Sequence, residues 1–344
     1  MESGVLIIVI ITVLVALAFD VINGFHDAAN SIATIVSTRV LSPKFAVLWA
    51  AFFNFIAMFI FAPKVANTIS KIIHIEGTDH AFIYVVLAGI LGAIFWDLLT
   101  WWFGLPASSS HALLGGLVGA GLAYKGTSVI NWTKVTETAA FIPIAPIIGL
   151  LLGYFVMLGV IWLVHKWTPQ KVDKSFRLGQ LASAALYSIS HGANDAQKTM
   201  GIIVAILVAA NMMGPDVQLS LSDPQTVWII LSCQTAMAVG TMMGGWKIVK
   251  TMGMKLTKLK PVHGFCAELA GSCSILFATS LGIPISTTHA IAGSIIGVGS
   301  VQSLAGIKWD TASRIVLAWI LTIPAAAIVS ALLFWLIQAI HSGF

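Results

Sequence analysis

The chain has 344 residues, of which 58% are hydrophobic and 9% charged, with a formal net charge of +5. Soluble domains carry about 25% charged residues, so this composition excludes an ordinary soluble enzyme or binding module and marks a membrane-embedded chain. The basic residues fall in short connections between apolar segments, where they speak of orientation and not of a nucleic-acid partner.

In chain order the apolar segments run roughly over 4–36, 45–62, 81–103, 107–123, 138–165, 178–210, 226–246, 263–282, 287–300 and 313–338. Each reads as a helix, because lipid offers the backbone no hydrogen-bond partner and none of the runs alternates as a barrel strand would. The first follows Met1-Glu2-Ser3, with no basic region and no small-residue cleavage site, and reads as a retained span. Cys233, Cys266 and Cys273 sit in apolar segments without metal-like spacing and read as core residues. Tryptophans such as Trp101, Trp102, Trp132, Trp162 and Trp167 cluster near segment ends as an interfacial belt.

The chain repeats itself. Asn-Gly-Phe-His-Asp-Ala-Ala-Asn at 23–30 recurs as His-Gly-Ala-Asn-Asp-Ala-Gln-Lys at 191–198, and Leu-Pro-Ala-Ser-Ser-Ser-His-Ala at 105–112 as Ile-Pro-Ile-Ser-Thr-Thr-His-Ala at 283–290. Polar breaks at matching places in a duplicated apolar chain predict a transporter of two repeats. The predicted fold is an all-α polytopic membrane protein with about ten to twelve helical segments, in two inverted-topology repeats, each with broken helices and a re-entrant-type hairpin. The first repeat covers 1–165, a cytoplasmic connecting loop 166–177 and the second repeat 178–344, together one transport domain.

Loop charge sets the expected orientation. Connection 166–177 carries Lys166, Lys171, Lys174 and Arg177, and 247–260 carries five lysines, so both are placed in the cytoplasm. Arg39 and Lys44 place their short connection inside too, although its counterpart in the second repeat, with Asp216 and Asp223, lies outside. Two copies inserted in opposite senses have this property. With each hairpin returning to its own side, both termini, 64–80 and 124–137 are expected outside and 301–312 inside, in a multi-pass protein of the plasma membrane.

Asp20, Asn23, Asp27 and Asn30 share one helix face, and Gly24 could break that helix. A carboxylate in a membrane span costs about 3 kcal/mol on insertion scales, a cost tolerated where the group binds a cation, takes a proton or pairs with a base. For one Asp a simple packing role would compete; two at repeat-related positions, Asp27 and Asp195, favour function. The second copy carries Lys198 where the first has Asn30, which could neutralise Asp195 or offer charge to an anion.

Pro106 and Pro284 suit the start of a helix. Ser108, Ser109 and Ser110, and Ser286, Thr287 and Thr288, would then meet free N–H groups at a positive helix end, a seat for an oxyanion. Plain N-capping by serine is the ordinary alternative. Gly115, Gly119, Gly121, Gly293, Gly297 and Gly299 would let helices approach closely. His26, His111, His191 and His289 could carry protons or orient the anion. Asn54 and Gln234 lie in corresponding spans, Asp97 and Glu268 on the hairpin arms, with Glu268 the stronger candidate cation ligand of the two. No zinc-like pattern and no Gly-x-Ser-x-Gly elbow is present, so neither a metal site beyond Na+ nor an enzyme is expected.

These motifs, with Gly-Thr-Met-Met-Gly-Gly-Trp-Lys at 240–247, make the chain resemble the inorganic phosphate transporter (PiT) family, in the wording of its bacterial and archaeal branch. The resemblance covers essentially the whole chain, which lacks the long central hydrophilic loop of many members. It implies import of inorganic phosphate with Na+ or H+ through an inverted-repeat fold with two hairpins, by alternating access and with no other cofactor. It maps the phosphate site onto Asp27, Asn194, Asp195 and Lys198 with the two hydroxyl triplets. Asp27, Asp195, Asn23, Asn194 and Glu268 are the residues expected to serve the coupling cation. Alternatives are a sulfate permease of the same fold and a cation channel lined by Asp20, Asp27 and Asp195. Phosphate, Na+ or H+ and the lipid bilayer are the expected partners; nucleic acid is not, and a homodimer is compatible with the sequence.

Overall fold

The computed structural model describes residues 3–73 and 80–340. Residues 1–2 and 341–344 of the expected outside termini, and 74–79 of the connection 64–80, lie outside the described residues. Among the described residues there are twelve α-helices and no named strand. The first half contributes α1 (Ser3–Ser37), α2 (Pro43–Ile56), α3 (Lys64–Ile69), α4 (Ala81–Phe103), α5 (Ser109–Lys125) and α6 (Trp132–Val164). The second contributes α7 (Pro169–Ala209), α8 (Val227–Met243), α9 (Trp246–Met254), α10 (Pro261–Ser280), α11 (Thr287–Gln302) and α12 (Trp309–Ile340).

Helices α1, α4, α6, α10 and α12 are long and apolar enough to cross a membrane, and α8 with α9 makes a sixth, broken span bent by 70°. The chain is a multi-pass membrane protein. Large apolar side chains such as Phe155, Trp162, Ile320 and Trp335 stay exposed on the outer faces of α6 and α12, as a lipid-facing surface requires.

Several local features differ from the sequence expectation. Helix α1 runs unbroken through Gly24 and α7 through Gly192. Both glycines serve packing instead: a Cβ would stand 2.3 Å from the Met237 carbonyl at Gly24 and 2.5 Å from the Asn54 carbonyl at Gly192. The lysine-rich connections 166–177 and 247–260 are largely helical, since α7 begins at Pro169 and α9 holds Lys247 and Lys250. In α9 the charges ride on one face while Ile248, Val249 and Met252 are buried, a pattern that resembles a loop when only charge is counted.

Two apolar clusters form the core. The first gathers Val9 to Phe19 of α1 with parts of α3, α4, α5 and α8 and the C-terminal half of α7. The second gathers Ala29 to Ile35 of α1 with α9, α10, α11 and Ala184 and Tyr187 of α7. Thus α1 passes from the first cluster to the second, and α7 passes from the second to the first. The polar stretches of both helices lie at the changeover.

The two hairpins are α4–α5 and α10–α11. Each turns through a glycine in the left-handed region, Gly104 at φ +66° and Gly282 at φ +73°, where a side chain would be strained. Short helices of the opposite half clamp each turn. Thr251 donates to the Gly104 carbonyl at 2.8 Å and Lys247 to that of Trp102 at 3.1 Å. Correspondingly, Thr68 donates to the Gly282 carbonyl at 2.6 Å and Lys64 to that of Ser280 at 3.1 Å. Both lysines place positive charge at a helix C-terminus, where the dipole favours it.

Each hairpin's inner helix also packs on a long helix of the other half. A Cβ at Gly119 of α5 would meet the Ala327 carbonyl of α12 at 2.0 Å, and one at Gly297 of α11 the Leu150 carbonyl of α6 at 2.1 Å. These small residues permit backbone-to-backbone packing.

Candidate functional site

The polar stretches of α1 and α7 meet the tips of both hairpins in the interior. After Pro106 and Pro284 the chain stays extended for one more residue, and Ser108 and Ser286 become the caps of α5 and α11. Their hydroxyls accept from the backbone N–H of His111 at 3.3 Å and of His289 at 3.2 Å. Capping thus uses the first hydroxyl of each triplet and leaves the next two for other work.

Ser110, Thr287 and Thr288 face the helices of the core, while Ser109 lies beside Asp97 of α4. Ser110 lies against Lys198, whose ammonium donates to both the Ser110 hydroxyl and the Asp195 carboxylate. Thr287 donates to the other Asp195 oxygen at 3.2 Å. Asn30 donates to Thr288 at 2.9 Å and to Thr287 at 3.3 Å. The two hairpin tips also touch, with Ser110 donating to the Ile285 carbonyl at 3.4 Å. The two readings of Lys198, partner of Asp195 or neighbour of a serine-rich helix end, are therefore both satisfied by one position. The cation, Asp195 and Asp27 are each no more than 2% exposed.

Asp27, His191 and Asp195 offer ligand atoms within 4.8 Å of one another, from two helices of different halves. His191 Nε2 lies 3.2 Å from Asp195, and its Nδ1 lies 3.2 Å from the Asn54 side chain. His26 bridges Asp27, at 2.7 Å, and Thr100 of α4, at 3.0 Å. Asn194, at the matching place in the repeat, donates to Thr279 of α10 at 2.9 Å. In each half the core helix is thus tied to the outer arm of its own hairpin, once by an imidazole and once by an amide.

Other expected site residues stand apart from this centre. Glu268 sits in its own polar cluster, accepting from Thr34 at 2.6 Å, from Gln180 at 2.9 Å and from Ser183. His111 and His289 face each other with ring centroids 4.7 Å apart, and His289 stacks on Trp319 at 3.9 Å. Asn23 turns its amide nitrogen toward the Met237 sulfur, 4.0 Å away.

Asn30, Thr34, Thr100, Gln180, Ser183 and Tyr187 join these networks without having been singled out as site residues. Tyr187 donates to the Thr287 carbonyl at 3.0 Å and so steadies a hairpin tip. Asn30 and Thr34 continue the polar face of α1 at helical spacing, a signal visible in the sequence. For Gln180 and Ser183 no such signal exists, because their partner Glu268 is far along the chain.

A cavity of about 280 Å³ opens on the opposite face of α7, lined in part by Phe61, Gly192, Gln197 and Gln234. Gln197 closes its wall by accepting from the Val65 N–H at 2.8 Å and donating to the Ala62 carbonyl at 3.2 Å.

The model of the phosphate transporter family matches residues 23–330, which contain every residue of this site. The chain belongs to that family. Within the family, it is 51% identical to a probable low-affinity inorganic phosphate transporter of Rhizobium meliloti, covering 93% of this chain and 94% of that one. It is 43% identical to a protein of the same description from Bacillus subtilis, covering 97% and 98%. A solved structure described as the sodium-dependent phosphate transporter superposes with a TM-score of 0.86 at 26% identity, over 97% of this chain and 99% of that one. The relatives are transport proteins and not enzymes, and so is this member.

Proposed function

We propose that the protein imports inorganic phosphate across the plasma membrane as a cation-coupled symporter. The observation that carries this reading is the meeting of two hydroxyl-bearing helix N-termini at the Asp195–Lys198 pair. Two positive helix ends, Ser109, Ser110, Thr287, Thr288 and a buried ammonium make an anion seat, and phosphate suits it. Phosphate at neutral pH also donates a hydrogen bond, which Asp27 or Asp195 can accept and sulfate cannot supply. That asymmetry favours phosphate over sulfate, and the names of the relatives point the same way.

Asp27, His191 and Asp195 are the natural seat of the coupling cation. A cation there offsets the charge of the anion, so the loaded site is cheaper to move through a low-dielectric region than either ion alone. Sodium is the favoured ion, since the related solved transporter is described as sodium-dependent.

Alternating access would arise from two inverted repeats, 1–165 and 178–344, moving against each other about this centre. The opposite passage of α1 and α7 between the two apolar clusters supports that assignment. The lysine-bearing stretches 166–177 and 247–260 face the cytoplasm, and both termini face outward.

The test is uptake of labelled phosphate by purified protein in liposomes, under a sodium gradient at fixed pH and under a proton gradient without sodium. Uptake is expected with sodium. Absence of uptake under both gradients refutes the reading, and equal inhibition by sulfate and phosphate would favour the sulfate alternative.

A further inference from the structure

A third carboxylate on the polar face of α1 is left out of this scheme. Asp20 is fully buried, and neither of its oxygens has a hydrogen-bond partner. Its near neighbours are Asn23, one turn along α1, and Thr199 of α7. Both carry groups turned toward it, the Thr199 hydroxyl and the Asn23 side chain, but neither closes to hydrogen-bond distance. Thr199 Oγ1 and Asn23 Oδ1 are themselves buried and unpartnered. The Asn23 amide nitrogen lies 4.0 Å from the Met237 sulfur. Thr199 does not follow the habit of a helical threonine, which turns its hydroxyl onto a carbonyl of the preceding turn.

Four buried oxygens from three neighbouring side chains therefore lie here without a closed hydrogen bond to any of them. The nearest fixed cation, Lys198, is engaged by Asp195 and Ser110. The surroundings are apolar, with Phe19, Ala196, Met200, Cys233 and Met237 all in the first cluster. A bare carboxylate there is costly, and oxygen-only donors are the ligand set of hard cations, unlike the sulfur and nitrogen sets of transition metals. One net negative charge is matched by one monovalent ion, whereas a divalent ion would leave excess charge beside Lys198.

We propose that Asp20, Asn23 and Thr199 form a binding site for a small monovalent cation of the sodium class, distinct from the Asp27–His191–Asp195 group. It lies toward the first apolar cluster, on the opposite side of the polar centre from Glu268.

The test is equilibrium binding of radioactive Na⁺ to the full-length protein in nanodiscs, with no phosphate and no gradient, so that it reads independently of symport. Asp20→Asn, which keeps the side-chain shape, is expected to lose one bound Na⁺ per chain. Thr199→Val is expected to weaken that ion about tenfold, and Asp27→Asn to leave it bound. Melting temperature under sodium-free conditions confirms that each variant is folded. Unchanged stoichiometry in Asp20→Asn overturns the proposal. So does loss of all sodium in that variant, which would deny a separate site. An infrared band of a protonated carboxyl that vanishes in Asp20→Asn, with sodium binding unaltered, would place a proton there and equally overturn it.

Discussion

Lys198 concentrates the asymmetry of the two repeats in one side chain. In the first half its position is held by Asn30, which donates to the opposite hairpin tip. In the second half the ammonium neutralises Asp195 and reaches Ser110. Asp195 thus has a fixed cation and Asp27 has none, only the imidazole of His26. On the proposed reading the duties are unequal: Lys198 ties Asp195 to the anion seat as well as to the cation group, while Asp27 serves the mobile cation alone. Lys198→Gln should raise the KM for phosphate at least tenfold, because a charge-assisted contact worth about 1.5–3 kcal/mol is removed. Asp27→Asn should keep phosphate binding measurable while abolishing the sodium dependence of uptake. Uptake kinetics at stepped sodium and phosphate concentrations separate the two outcomes, and identical kinetic defects in both variants would refute the division of labour.

At the scale of elements, the hairpins depend on contacts made by the other half. Gly119 and Gly297 sit where a single methyl group would strike the backbone of α12 or α6. Gly119→Ala and Gly297→Ala should each destabilise by about 1–3 kcal/mol through overpacking, read as a lower melting temperature in detergent. The same substitution at Gly159, which has nothing within 4 Å of a built Cβ, should have no such effect. The clamps at the turns make a second prediction. Thr251→Val with Lys247→Met removes two hydrogen bonds from the turn of the first hairpin and should increase amide exchange around residues 102–106, with little change around 280–284.

Much of this level was legible in the sequence, because a proline followed by three hydroxyls is conspicuous within an apolar run. The hairpins and the pairing of the motifs followed from it. What was not legible needed the third dimension. Gly24 reads as a hinge until Met237 is seen to occupy the space a side chain would take. Lys247 and Lys250 read as loop residues, since counting charge does not reveal that Ile248 and Met252 bury the other face of α9. Glu268 stands alone in its apolar run, and only the folded chain brings Thr34, Gln180 and Ser183 to donate to it.

Across the whole molecule, the arrangement of charge predicts opposite faces for particular connections. In a cysteine-free background, single cysteines at Lys258 and Lys166 should react with a membrane-impermeant thiol reagent only from the cytoplasmic side, and one at Ser222 only from outside. Labelling of all three from one side would refute the inverted arrangement. The closed centre adds a further expectation. With Asp27, Asp195 and Lys198 almost wholly buried, access requires that some of the surrounding helices move. A cross-link joining Gly119 of α5 to Ala327 of α12 should hold that pair together and slow uptake only if the two helices separate during transport.

The grip of α12 on α5 also bears on how the protein is made. Helix α5 leaves the ribosome early, with a glycine-lined groove that its own half never fills. The segment that fills it, around Ile323 and Ala327, is synthesised only after α6 to α11. Until then the nascent first half carries an unfinished groove in the bilayer, open to lipid or to wrong helix partners. Maturation is therefore a late event in biogenesis, and a chain arrested before α12 should be recognised by membrane quality control as incomplete, however well its earlier helices have inserted.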